Sequence, residues 1–322
     1  MAGLFGFMNP NKPGKGVDVD APAKHPFFLF FELCWRKFSR LVVLNLIFFI
    51  CVLPIISFIY LRLYEMINTL LPEYIQAFMA EAVAAGQEAV SPVTPLPTFL
   101  FSILAMLPGF VNILLLCVSV ILYGPVTCGF IYMLRNYTRQ EHAWLSDFFV
   151  QIKKNFVQGM IAGLIEIGAV SLMVYNLLMQ PGDVSEGMSV FFNIIKYVSI
   201  VLLILVLFAK NYIYIMIVTF QMKLSSIIRN GFLFSFIGLF RNILILAVTA
   251  IFFIAILLVP FADVILIPLF MFSFCSFLAT FACYPIIHKL MIKPTLPPEE
   301  EDEPEPPEDE TPRVDPWLLG KE

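Results

Sequence analysis

The chain has 322 residues, 60% of them hydrophobic and only 14% charged, with 34 phenylalanines and a formal net charge of −4. A soluble domain is about 45–50% apolar and about 25% charged, because its surface needs polar cover that this chain lacks. The composition excludes a soluble protein and points to an all-α, polytopic membrane bundle whose helices satisfy their own backbone in lipid.

The charge is unevenly spread. From Thr295 onward there are 11 acidic and 2 basic residues, so the acidity belongs to a C-terminal tail and the preceding body is mildly basic. The basic residues flank apolar stretches and form no soluble patch, so nucleic acid is not an expected partner. Cys34, Cys51, Cys117, Cys128, Cys275 and Cys283 include no C-x-x-C pair and read as buried free thiols. His25, His142 and His288 are scattered, so neither a metal site nor a cofactor is expected. Residues 1–25 read as a cytoplasmic N-terminal segment, rich in Gly, Pro and Lys and without the apolar core of a cleavable signal.

Residues 26–293 form the expected membrane domain. A helix needs roughly 20 apolar residues to cross the hydrocarbon layer. Six stretches qualify: residues 41–60, 110–134, 156–178, 194–220, 242–258 and 264–287. The second admits two readings. Apolar sequence begins at Thr98, and Pro108-Gly109 and Gly124-Pro125 interrupt it, so one kinked helix and a short outer segment followed by a span both fit. A tight turn near Pro260 and Asp263 separates the last two spans.

Lysine and arginine set the orientation. Lys12, Lys15, Lys24, Arg36, Lys37 and Arg40 precede the first span, and Arg135, Arg139, Lys153 and Lys154 separate the second from the third. Lys223, Arg229 and Arg241 separate the fourth from the fifth, and Lys289 and Lys293 follow the sixth. Of the alternate loops, the first holds Arg62 amid Glu65, Glu73, Glu81 and Glu88, and the next holds Asp183 and Glu186. Both termini are therefore expected in the cytoplasm. The outer loop, residues 62–97, reads either as a solvated cap or as an element that contacts a ligand or partner. The tail, residues 294–322, is Pro/Glu/Asp repetition that cannot bury a core and is expected to be disordered. Its Trp317-Leu318-Leu319 either docks a partner or ends an inert solubilising leash.

Three times a basic, aromatic stretch leads into a span: residues 26–38, 144–156 and 234–243. In the second, Trp144, Phe148, Ile152 and Phe156 recur every four residues and form one apolar stripe. Such helices lie in the cytoplasmic interface with basic groups at the lipid phosphates. The expectation is three units, each an interfacial helix followed by a hairpin of spans.

Two ionisable residues stand deep in the spans. Glu166 lies about ten residues into the third and Lys210 about ten residues before the end of the fourth, so at ~1.5 Å per residue both are roughly 15 Å deep. A lone charge there costs ~3 kcal/mol or more, and an opposite charge at equal depth offsets much of it. A Glu166–Lys210 contact is expected, direct or through water, with Asn211, Tyr212 and Tyr214 able to complete a polar cluster. Glu166 shares a face with Gly159 and Gly163, whose small-xxx-small spacing permits close packing. The pair reads either as a structural latch, with Lys210 snorkelling, or as a substrate or proton site.

The start of the chain from Leu4 to Val17, the stretch Phe31-Glu32…Arg36-Lys37-Phe38…Leu44-Asn45-Leu46…Leu53-Pro54, and the central segment resemble one family. That segment is Gly124-Pro125-Val126-Thr127-Cys128-Gly129-Phe130…Arg135, then Trp144…Asp147-Phe148…Lys153-Lys154-Asn155-Phe156. The chain resembles the YesL-like membrane proteins, a bacterial family of unknown function. The likeness covers about half the chain, whose long first outer loop and acidic tail depart from the pattern. It implies a multi-span protein of a bacterial inner membrane, with a hint of carbohydrate uptake and no enzymatic reaction. On physical grounds Gly124-Pro125 permits a bend, Gly129 permits close helix approach, and Arg135 and Asp147 are positioned to pair across the loop.

No nucleophile motif, phosphate loop, dinucleotide fingerprint or H-E-x-x-H occurs, so an enzyme is not expected. The first functional reading is a structural or accessory component of a membrane system, with the lipid bilayer and a membrane protein as partners. The alternative is a small solute transporter or channel using Glu166 and Lys210, a reading weakened by the shortage of polar residues to line a path.

Overall fold

Lipid offers the backbone no hydrogen bonds, so a chain this apolar folds as helices. The structure, a computed structural model, describes residues 25–70, 107–179, 185–259 and 262–295, and no strand occurs among them. The N-terminal segment up to residue 24, residues 71–97 of the expected outer loop, Pro260 of the expected turn and the tail beyond Thr295 lie outside the described residues.

In chain order the helices are α1 (Pro26–Arg36), α2 (Phe38–Leu70), α3 (Gly109–Thr138), α4 (Leu145–Lys154), α5 (Phe156–Leu178), α6 (Glu186–Thr219), α7 (Leu224–Ile237), α8 (Leu239–Leu258), α9 (Ala262–Leu266) and α10 (Phe272–Ile287). Six stretches are long and apolar enough to cross a membrane, lying in α2, α3, α5, α6 and α8 and over Ile267–Ile292. The second span is a single helix that starts directly after Pro108 and passes through Gly124-Pro125; residues 98–106, on which the choice between the two readings turns, lie outside the described residues. Two bounds differ most from expectation. α2 continues to Leu70, into the expected outer loop, and α6 begins at Glu186. At 1.5 Å per residue the 34 residues of α6 are about 50 Å long, more than the ~30 Å hydrocarbon layer. Lys196, within its first third, falls about 35 Å from the Thr219 end.

α3 is the central helix, packing against α2, α4, α5, α6 and α10. Its half nearest Arg135 is buried, with Phe130, Met133, Leu134 and Tyr137 in the core beside Tyr212 and Ile215 of α6 and Phe277 of α10. Phe48 of α2 stacks on Phe130 at 4.4 Å.

Three short helices precede spans, each through a one-residue joint. Lys37 (φ −103°, ψ 8°), Asn155 (φ −106°, ψ 20°) and Gly238 (φ −90°, ψ 18°) share one backbone conformation. Each joint N–H donates four residues back, to Leu33, Gln151 or Phe234, and each joint carbonyl accepts from four residues on, Leu41, Gly159 or Asn242. Each joint residue thus keeps a bond to the helix on either side while the helix itself is interrupted there. The third unit differs from the expected one: its short helix begins at Leu224, and Gly238 divides the stretch 234–243. Nor does α7 lie apart as an interfacial helix. Its Gly231 rests against Ile213 and Ala209 of α6, so it runs back along that span. In the second unit Phe148 is buried, but Trp144 precedes the helix and is exposed, so it is not part of the buried stripe.

Buried polar groups repair the backbone where it departs from α-helix. Ile267–Met271 forms a π-helical turn containing Pro268. Asn45 of α2, fully buried, donates to the Ile267 carbonyl at 3.1 Å and to that of Pro268, and its Oδ1 accepts from the Ser273 N–H at 2.7 Å. Ser119 of α3 donates to the Cys51 carbonyl of α2.

The tightest helix contact is α3 against α5. A Cβ on Gly124 would overlap the Gly159 carbonyl, and one on Gly163 would stand 2.8 Å from the Gly124 backbone. Gly124→Ala is therefore expected to lower the thermal midpoint in detergent, at a cost of about 1–3 kcal/mol from overpacking. Gly109→Ala, at a site with nothing within 4 Å, is the matched control and leaves the midpoint unchanged.

Candidate functional site

Gly159, Ala162, Gly163 and Glu166 form the buried face of α5, three and four residues apart. Glycine on both sides of the α3–α5 crossing lets the backbones meet, and the residue beside Gly124 is Tyr123. Its hydroxyl donates to Glu166 Oε1 at 3.0 Å. From α6, the Tyr214 hydroxyl donates to Oε2 at 2.8 Å, and Lys210 Nζ lies 3.4 Å from Oε1. Two spans, α3 and α6, thus supply three donors to a carboxylate carried by a third, α5.

The two charges are not equally enclosed. The Glu166 side chain is 10% exposed and that of Lys210 35%. Beside them is a cavity of about 90 Å³ between α5, α6 and α7, lined by Ala162, Ala169, Val206, Ile213, Ile228 and Phe232 along with the pair itself. Glu166, Lys210 and Tyr214 are its only polar side chains. Both carboxylate oxygens already accept hydrogen bonds, so the cluster holds its charge by internal donors. Among the described residues no group of His, Cys, Asp and Glu is arranged to hold a metal ion.

Of the five residues singled out for this site, the structure brings Glu166, Lys210 and Tyr214 together. Asn211 is half-buried and takes no part in the hydrogen-bond set. Tyr212 serves another cluster, donating to Asn242 Oδ1 at 3.2 Å. Tyr123 was missed by reasoning from sequence; the available signal was a tyrosine beside the glycine that faces Gly159.

The central-segment residues have structural partners. Gly129 abuts Phe148 and Ile152 of α4, which rests directly on α3. Arg135 does not pair with Asp147. It is buried, its Nη1 donates to the Val218 carbonyl at 3.1 Å and Thr219 Oγ1 at 2.9 Å, and its Nε and Nη2 donate to Asn136 Oδ1. A guanidinium on the last carbonyls of α6 meets the negative end of that helix, which a carboxylate across the loop would not reinforce. Asp147 instead accepts from the Trp144 N–H at 2.8 Å and caps α4. Asn155, at the α4–α5 joint, donates to the Gln151 carbonyl at 3.2 Å and side chain at 3.1 Å. Pro125 lies inside α3, where its missing N–H frees a carbonyl one turn earlier.

A double-mutant cycle tests the cluster. Glu166→Gln strands Lys210 beside an apolar cavity and is expected to cost about 1–3 kcal/mol in detergent, less than the roughly 3–5 kcal/mol of a fully buried pair because the amine is partly exposed. Lys210→Met in the same chain recovers part of the loss, giving a coupling of at least about 0.5 kcal/mol by thermal unfolding. Fully additive losses would show that the two groups do not interact.

Residues 98–177 match the model of a family described as a protein of unknown function, DUF624. The matched stretch takes in Tyr123, Gly124, Arg135, Asp147 and Glu166 and stops before Lys210 and Tyr214. Neither a curated protein nor a solved structure matches the chain. Fold and family together describe a multi-pass membrane protein whose matched family has no assigned activity.

Proposed function

We propose that the protein is an accessory component of a membrane system and performs no catalytic step. The observation that carries this reading is the closed state of the polar cluster. Both oxygens of Glu166 are occupied by the chain's own donors, and the adjoining cavity is otherwise apolar. A transport path needs polar groups that exchange partners with a moving solute. Here the polar groups fasten α3, α5 and α6 to one another. The resemblance to YesL-like proteins supports a bacterial inner membrane and carbohydrate uptake as its setting, and the loop cations support both termini on the cytoplasmic side.

One observation favours the transporter reading. Among the described residues Lys210 makes one ion pair, with Glu166, and its side chain borders the cavity. Solute entering there would meet an ammonium with donors to spare.

Reconstitution separates the two. Vesicles holding the purified chain are expected to show no flux of mono- or disaccharides above that of empty vesicles. Gentle solubilisation of the native membrane is expected to retain an integral membrane partner in fixed proportion, with Glu166→Gln weakening its recovery only as far as it weakens the fold. Saccharide flux that Glu166→Gln abolishes would replace the accessory reading with the transporter.

A further inference from the structure

Cations from several elements gather at the end of the bundle where the described chain stops. Arg36, Lys37 and Arg40 surround the α1–α2 joint. Arg36 Nη2 donates to Gln140 Oε1 at 2.8 Å, and Lys37 Nζ stands 5.7 Å from the centre of the Tyr137 ring, so the joint is held on the last turn of α3. Arg139 continues the surface, 5.5 Å over the Tyr284 ring of α10 and 2.7 Å from Glu141. Lys153, Lys154, Lys223, Arg241, Lys289 and Lys293 lie at the same end, all exposed.

Acid to balance them is scarce. Among the described residues this end holds Glu32, Glu141 and Asp147; Arg139 takes Glu141, and the Trp144 N–H takes Asp147. The excess is felt locally: burial first, then Arg40 and Arg36, lower the pKa of the Lys37 ammonium. Beneath Arg139 the buried Tyr284 hydroxyl has no hydrogen-bond partner among the described residues.

The counter-charge is in the same chain. Residues 296–322 carry 11 acidic and 2 basic side chains, and they leave the bundle from Lys293–Thr295, just beyond the helix that carries Tyr284. We propose that this segment binds back across the basic end as an intramolecular acidic cover. Its reach is sufficient. A random coil of 27 residues would have a root-mean-square span of about 30 Å, and a six-helix bundle with axes 8–10 Å apart is about as wide. Tethering sets an effective concentration in the millimolar range, so exposed ion pairs that are individually weak act together. The cover occupies the surface that an anionic lipid or acidic partner would otherwise use. It is independent of what the bundle does within the membrane.

Lysine acetylation of the full chain in phosphatidylcholine nanodiscs at low salt tests this. Ending the chain at Thr295 is expected to raise the labelling rates of Lys37 and Lys289 about threefold or more, the modest protection expected of exposed ion pairs. Lys196, at the far end of α6, is the internal control and keeps its rate. Glu299→Gln, Glu300→Gln, Glu301→Gln, Asp302→Asn and Glu303→Gln together reproduce the increase without shortening the chain, and so does about 0.5 M salt on the unaltered chain. Equal rates with and without the tail at low salt overturn the proposal. Protection that appears only when phosphatidylglycerol is added, whether or not the tail is present, assigns the cations to lipid headgroups and overturns it equally.

Discussion

Backbone contact between α3 and α5 positions the rest of the polar interior. In lipid no hydrophobic force presses helices together, and close packing must come from small residues that let main chains touch. Gly124 meets Gly159 and Gly163 so closely that a methyl group on any of them would collide with backbone or with a buried thiol. That approach brings Tyr123 onto the carboxylate of Glu166, and the carboxylate in turn draws α6 in through Tyr214 and Lys210. The glycine crossing supplies the geometry, and the carboxylate then makes separation of the three spans costly, because each polar group would be stranded in lipid.

Elsewhere, too, polar side chains in the spans compensate for irregular backbone. Asn45 fills the π-helical turn that Pro268 interrupts, and Arg135 covers the last carbonyls of α6. In both cases one helix carries the side chain and another carries the fault, so the repair is also a tertiary contact. Such residues look like binding groups in a list of polar positions. Their hydrogen bonds are already made within the chain, which is the physical ground for reading the bundle as closed.

How much of this was legible in the sequence follows from what sequence encodes. Span positions follow from apolar length, and the third span was bounded as the structure bounds it. The meeting of Glu166 and Lys210 followed from rise per residue and antiparallel neighbours, since two deep opposite charges at one depth have few other partners. Tyr123 was not legible, because its place depends on how α3 crosses α5. Arg135 was assigned to Asp147 by proximity in sequence, whereas a helix end two spans away offers a stronger partner and nothing in local sequence marks it. Asn211 was included for adjacency to Lys210, but successive residues on a helix point about 100° apart. Lys196 lay near the start of the expected fourth span, and the structure, by beginning α6 at Glu186, sets it ten residues into the helix.

The three joints show a design repeated with one deliberate difference in packing. Lys37, Asn155 and Gly238 bend the chain with nearly the same backbone angles, each bonded four residues back and four residues on, so the repeat resides in backbone conformation more than in side chains. At the third joint the residue is glycine, and a side chain there would strike the Tyr212 hydroxyl. That hydroxyl is bound to Asn242, which also donates to the Ser235 carbonyl of α7, so joint, short helix and span are fixed as one unit against α6. Because α7 lies along α6 here, Ile228 and Phe232 become the wall of the cavity beside Lys210. The cavity beside the half-buried amine therefore arises from the way the third unit packs.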